Sequence, residues 1–318
     1  MNLASLDLNL LVSLDALLQQ RSVTRAAAQM GLSQPALSAS LARLRRHFGD
    51  ELLTRVGNEY RLTPLAVQLE ELVRIALSGV ERVFTAQPEF DPASSTREFT
   101  LLVSDYVVAV MGDTVAALLA EEAPHTRLRL ATHSPAIVDR AEQALLSADL
   151  IFLPPGFLTG LSRQDLYRDE WVCVVAADSP AADTGLVVDD LERMPWVVTY
   201  HGPTASTPVV RQMRMLGIEP RVQVVVENFL TVPALVTGSN RVALLQRRLV
   251  DQLPLNVGIR ALPPPFEVAP LIEAMWWHPA FDDDPEHRYL RDLVLRAAEL
   301  AVGSDAVIDL ADTPGQKK

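Results

Sequence analysis

Residues 22–66 read SVTRAAAQMGLSQPALSASLARLRRHFGDELLTRVGNEYRLTPLA. Ser22 can cap a helix over 23–30, because its hydroxyl accepts from the free N–H groups of a first turn. Gly31 follows as the residue best suited to end that helix in the left-handed conformation. Ser33 can cap the next helix, and Pro35 falls in its first turn, where a missing N–H costs little. Leu37, Leu41, Leu44 and Phe48 form its inner stripe. Two helices joined by a short Gly-containing turn are a helix-turn-helix. The small Ala27 suits the point where they cross. The opposite face starts with Gln34 and Ser38 and continues to Arg45. Gln can pair with adenine through two hydrogen bonds in the major groove, and Ser can bond bases or phosphates. Residues 52–63 then read as a hairpin around Gly57-Asn58, a wing whose Arg55 and Arg61 can reach phosphates.

Working outward, residues 8–20 carry apolar side chains at helical spacing, giving a three-helix head. Residues 1–64 hold seven arginines against five acids, whereas the whole chain carries −12. A basic head on an acidic body confines nucleic acid to the head. On the other side, Thr63 can cap and Pro64 can start a long helix to about Phe84. Its stripe of Leu65, Leu69, Leu72, Ala76, Val80 and Val83 needs a partner, either the chain's own body or the same helix of a second subunit. Residues 87–96, with two prolines and two serines, read as a hinge.

Beyond the hinge, strands are expected at 99–103, 127–131, 149–153, 171–176, 196–198, 222–226, 242–244 and 272–277. Helices are expected at 107–119, 137–147, 209–216, 229–237 and 285–298. Such alternation predicts an α/β sheet. The chain should cross between two lobes near 166–170 and return near 263–269. Ligands in open α/β sheets sit at the carboxyl ends of strands. Four segments qualify there: Ser104-Asp105-Tyr106, His133-Ser134, Tyr200-His201 with Thr204, and Asn228-Phe229. Their hydroxyls, imidazoles and rings suit a small polar aromatic ligand. The local alternative is that Ser104 and Ser134 are helix caps, with His133 and His201 as exposed loop residues. Free N–H groups at helix starts favour an acceptor or anion, while Asp105 favours a hydroxyl donor, so both phenolic and carboxylated aromatics stay open.

Several function classes are excluded as expectations. A single cysteine, Cys173, excludes an intrachain disulfide and a cysteine-rich zinc site, and its apolar neighbours make it a buried, inert thiol. There is no G-x-S-x-G elbow, P-loop or H-E-x-x-H helix. No catalytic residue, metal or cofactor is expected, and an enzyme is disfavoured. A solute-binding module without DNA activity leaves residues 1–64 unexplained. No apolar run is long enough for a membrane span, and the N-terminus lacks the features of a signal peptide, so the cytoplasm is the expected location.

The Ala26-Ala27, Ser33-Gln34-Pro35-Ala36, Ser38 and Leu62-Thr63-Pro64 elements resemble the N-terminal domain of LysR-type transcriptional regulators. Ser104-Asp105-Tyr106, Trp277-His278 and the 284–291 run DPEHRYLR resemble the branch of nodulation and aromatic-degradation regulators. The resemblance implies a fold of class α + α/β. It comprises a winged helix-turn-helix (1–64), a linker helix and hinge (65–96), and a two-lobed α/β effector domain similar to periplasmic binding proteins (97–302). Lobe I would take about 97–167 and 269–302, and lobe II about 168–268, ahead of a flexible tail (303–318). The DNA-facing set becomes Ser22, Thr24, Ser33, Gln34, Pro35, Ser38, Arg43, Arg45, Arg55 and Arg61. The implied partners are double-stranded operator DNA, a small-molecule inducer, a homodimer or homotetramer of the chain itself, and RNA polymerase. Many family members have arginine where this chain has Ala39 and Ala42.

Overall fold

The computed structural model describes residues 7–57, 59–85, 90–200 and 207–303. Asn58, His201, Thr204, part of the expected hinge and nearly all of the expected tail lie outside these residues. The chain divides into two compact units, Met1–Gln87 and Pro88–Lys318.

The first unit opens with α1 (Leu8–Gln20), α2 (Val23–Gln29) and α3 (Gln34–Phe48). Each start is set by its cap: the Asp7, Ser22 and Ser33 side chains accept from the N–H groups of Asn9, Arg25 and Ala36. Gly31, at φ +65°, ends α2 as expected. There the Leu32 N–H donates to Ala27 O and the Gly31 N–H to Ala28 O, the paired closure that only a left-handed residue permits without strain. Leu14, Leu17, Ala26, Ala27, Leu37, Leu41 and Leu44 make one buried core. The wing is β1 (Leu53–Val56) paired antiparallel with β2 (Glu59–Leu62). Asp50 anchors its base, accepting from the Thr63 hydroxyl and the Leu52 N–H, both at 2.6 Å.

The linker helix α4 (Pro64–Thr85) departs from the single stripe expected. Ala66 and Val73 are buried, and Leu69 and Leu77 pack beside them on the head's own core. Leu72 and Val83 stay 52% and 73% exposed. At 3.6 residues per turn these two rows lie roughly 80° apart. The stripe read from sequence therefore merges two faces: Leu69 belongs to the intramolecular one, while Leu72, Ala76 and Val83 form a second that the head does not cover.

The second unit holds two lobes. In the first, a five-stranded sheet has the order β4-β3-β5-β12-β6, formed by β3 (Glu98–Val103), β4 (Arg127–Thr132), β5 (Leu150–Phe152), β6 (Ser162–Asp169) and β12 (Leu271–Trp277). β3, β4 and β5 run parallel, and β12 runs antiparallel to its neighbours. The second lobe contains β7 (Trp171–Ala176), β8 (Pro195–Thr199), β9 (Arg221–Val226), β10 (Ala243–Gln246) and β11 (Ile259–Leu262). β10-β7-β11 form one sheet and β8-β9 another, linked by the bridge between Trp196 and Val242.

The first crossover narrows to the single residue Glu170, inside the expected 166–170 segment, because residues 166–169 still belong to β6. Two expected helices change. The expected helix at 107–119 begins earlier and contains a widened π turn at Val108–Gly112 before Asp113–Glu122. The expected helix at 137–147 is two short ones, Pro135–Val138 and Ala141–Ala144. The closing helix Pro285–Val302 explains the 284–291 run. Asp284 caps it, Glu286 pairs with Arg97, and His287 is fully buried with Nε2 2.9 Å from Asp149 O. Cys173 is buried in β7, and burial pushes its thiol up to about 12, which makes it unreactive.

Candidate nucleic-acid interface and ligand cleft

On the head, Ser33, Gln34, Pro35 and Ser38 are exposed at the start of α3, and Thr24 is exposed on α2. Ser22 and Ser33 also spend their hydroxyls on helix caps. Because α3 is anchored from inside by Leu37, Leu41 and Leu44, its outer face is a fixed surface. Ser38, Ala42 and Arg46 follow at four-residue spacing, which lines them up on that exposed face. Ala39 and Ala42 leave the middle of the face smooth, so backbone can approach closely.

The arginines have different situations. Arg45 turns toward the wing, where Nε donates to Glu51 O (2.8 Å) and Nη2 to Leu53 O (3.0 Å). It braces the hairpin against the helix. Arg43 pairs with Asp7 at 3.2 Å. Arg55 and Arg61 project from the wing as exposed residues, with Arg55 Nε donating to Gly57 O. Arg46, a third arginine of α3 beside Arg43 and Arg45, is the exposed cation of the row that runs from Ser38 through Ala42. Helical spacing from Ser38 was the signal for it.

In the second unit, a cleft lies between the lobes. From the first lobe it is lined by Ser104, Tyr106 and His133 at the ends of β3 and β4, and by Phe152 and Phe157. From the second lobe come Trp171, Tyr200, Thr207, Phe229 and Gln246, with Leu271 and Glu273 on β12 below. The mostly apolar lining, rich in aromatic rings and with a few polar groups, suits a small organic ligand. Tyr106, Phe229 and Tyr200 form an edge-to-face series, with centroids 6.3 Å and 6.1 Å apart. Tyr200 sits at φ +61°, a conformation costly for a side-chain-bearing residue and often retained at binding sites. Its hydroxyl is pushed up to about 12 by burial, so it stays protonated. His133 is buried, contrary to an exposed loop position, and burial lowers its pKa, which favours a neutral imidazole.

The expected residues therefore separate. Ser104, Tyr106, His133, Tyr200 and Phe229 are brought together on the cleft. Ser104 also caps the helix after β3, its hydroxyl accepting from the Val107 N–H. Ser134 caps the Pro135–Val138 helix and does not line the cleft. Asn228 bonds the Thr231 hydroxyl. Asp105 accepts from the N–H groups of Phe229 (3.0 Å) and Leu230 (2.7 Å), so its carboxylate joins the two lobes beside the cleft. Trp171, Gln246 and Glu273 also line the cleft and lie outside the strand-end segments expected there. Glu273 was detectable as the one acid within the apolar strand LIEAMWW. It is 3% exposed, and burial, reinforced by Asp169, pushes it up to about 8.

Among the described residues no cluster of His, Cys, Asp and Glu is arranged to hold a metal, and no helix is long and apolar enough to cross a membrane.

Two family models match the chain. One is the bacterial regulatory helix-turn-helix protein, lysR family, over residues 8–66, and the other is the LysR substrate binding domain over residues 92–299. The chain is 33% identical over 319 residues to nodulation protein D 2 of Rhizobium tropici, covering 99% of this chain and 100% of that one. In fold it is similar to a probable transcriptional regulator from Pseudomonas aeruginosa (TM-score 0.71, 24% identity), covering 94% of this chain and 98% of the other. It is also similar to full-length CbnR complexed with its target DNA (TM-score 0.65, 16% identity), with 92% of this chain and 100% of that one covered.

Proposed function

The chain belongs to the LysR family of bacterial transcription regulators, and on that premise we propose that α3 reads operator DNA while the interlobe cleft takes a small polar aromatic effector. In this reading Gln34 and Ser38 address base edges in the major groove. Arg46, Arg55 and Arg61 hold phosphates, and Thr24 and Pro35 border the contact. Arg45 acts indirectly by fixing the wing. The uncovered row of Leu72, Ala76 and Val83 pairs α4 with the same helix of a second subunit, as a homodimer or a homotetramer built from such pairs. Two heads then read two half-sites. The location proposed is the cytoplasm, with RNA polymerase as the further partner at the promoter.

The observation that carries the effector reading is the aromatic lining contributed by both lobes, Tyr106 and Phe152 from one and Trp171, Tyr200 and Phe229 from the other. A ring held between them favours the closed arrangement. Switching requires only that the effector bind one arrangement better than the other; a tenfold preference supplies about 1.4 kcal/mol. That shift changes the spacing of the paired heads and hence promoter output. The test is a thermal-shift screen of the full chain against aromatic acids, phenols and aliphatic acids. Stabilisation by aromatic compounds, lost on Tyr200→Ala, supports the reading. Stabilisation by aliphatic acids alone overturns it.

A further inference from the structure

Two buried side chains on the cleft, one from each lobe, each carry an acceptor atom that no described residue meets. Glu273 is 3% exposed on β12 and Gln246 is 2% exposed at the end of β10. Both line the cleft. Among the described residues, neither Glu273 Oε1 nor Gln246 Oε1 has a hydrogen-bond partner. Buried polar atoms in native proteins are nearly always paired, so two unpaired acceptors in one cavity, beside the likewise unpaired Tyr200 hydroxyl, point to a ligand that brings hydrogen-bonding groups of its own. Their chain neighbourhoods differ: Glu273 stands opposite Tyr167 in the first lobe's sheet, and Gln246 opposite Trp171 in the second's.

The charge of the surroundings narrows the donor. The described lining includes no Arg or Lys, and its one imidazole, His133, is kept neutral by burial. Asp169 adds negative charge toward Glu273 and is itself held by the Tyr106 hydroxyl at 2.7 Å. Burial keeps Glu273 protonated at neutral pH, and a carboxylated ligand would have to bury its own negative charge in a lining with no described cation to balance it. A neutral hydroxyl instead satisfies an acceptor.

We propose that Glu273 and Gln246 form an acceptor subsite shared between the two lobes, which selects an uncharged ligand bearing hydroxyl donors and rejects its carboxylated counterpart. This rests on the reading of the cleft as an aromatic-effector site. Because each acceptor belongs to a different lobe, a ligand that donates to both ties the lobes together. The residues that choose the ligand are thereby the residues that register its arrival.

The test uses full-length protein and four probes followed by calorimetry: naphthalene-2,3-diol, its dimethyl ether, 2-naphthoate and cyclohexane-1,2-diol. The diol is expected to bind at least about tenfold more tightly than the ether or the naphthoate, the size of effect expected when a buried polar group is left unpaired. Glu273→Met and Gln246→Met exchange an unpaired polar group for an apolar one of similar length, which favours retention of the fold. Each should reduce the diol-to-ether preference severalfold, and retained operator binding checks the fold. An unchanged preference in both variants, or a wild-type preference for naphthoate, overturns the subsite and leaves the aromatic-effector reading standing. Binding of the cyclohexanediol alone, or of none of the four, overturns both.

Discussion

The carboxylate of Asp105, just past the end of β3 in the first lobe, accepts the backbone N–H of Phe229 in the second lobe at 3.0 Å, and that of Leu230 at 2.7 Å. Phe229 in turn carries its ring into the cleft. One acid thus links lobe closure to the aromatic wall a ligand would touch. Asp105→Ala should cost about 1.5–3 kcal/mol of closure, as for lost hydrogen bonds to a charged acceptor. Amide exchange at Phe229 and Leu230 should accelerate by at least about tenfold while the β3 amides stay protected. Unchanged exchange at 229 and 230 would show that closure does not depend on this link.

The exposed row on α4 makes a second prediction. Leu72 and Val83 are 52% and 73% exposed, yet the helix has already satisfied its other face on the head. Leu72→Arg should therefore leave the head folded and break the oligomer, because a charge in an apolar seam is left unpaired. Val73→Arg should instead unfold the head, since Val73 is 3% exposed within its core. Light scattering and circular dichroism separate the two. An unchanged oligomer in Leu72→Arg would refute the seam.

Stability should also depend on pH through Glu273. Its carboxyl is raised from an ordinary 4.5 to about 8, by burial first and by Asp169 second. The folded state then holds the proton more tightly than the unfolded state. The associated stability is full below about 4.5 and is lost as pH rises through 8. Asp169, also raised by burial, acts in the same direction. Tm should fall between pH 6 and pH 9, and Glu273→Gln should flatten much of that slope. Equal slopes in the two proteins would count against a buried, titrating Glu273.

What could be read from the sequence follows how local the physics is. Ser22, Gly31, Ser33 and Pro35 act within one turn of themselves, so caps and helix ends announce the helix-turn-helix directly. Ser104 and His133 were legible because strand ends in α/β sheets are where ligands gather. The apolar stripe of α4 was visible but not its division, because a pattern of Leu and Val does not say which partner covers which row. Gln246 and Glu273 come from strands in different lobes, and only the tertiary fold brings both to one cleft. Asp105 stands out in the sequence only by its place after a strand; its bonds to backbone amides more than 120 residues away are set by the tertiary fold. The sequence places Arg45 on the outer face of α3 but does not show its bonds to the Glu51 and Leu53 carbonyls of the wing, which depend on how the hairpin folds back.

The central claim is that the outer face of α3 reads DNA sequence, and in vitro selection from random duplexes with full-length protein tests it most directly. Wild-type protein should enrich a motif of two half-sites in two-fold symmetry, spaced by about one helical turn or a multiple of it. Gln34→Ala should lose about 1–3 kcal/mol on that motif and much less on random DNA, while Arg46→Ala should weaken both and lower the salt dependence by about one ion. Selection that yields no motif, or a Gln34→Ala protein that keeps the wild-type preference, would contradict the account.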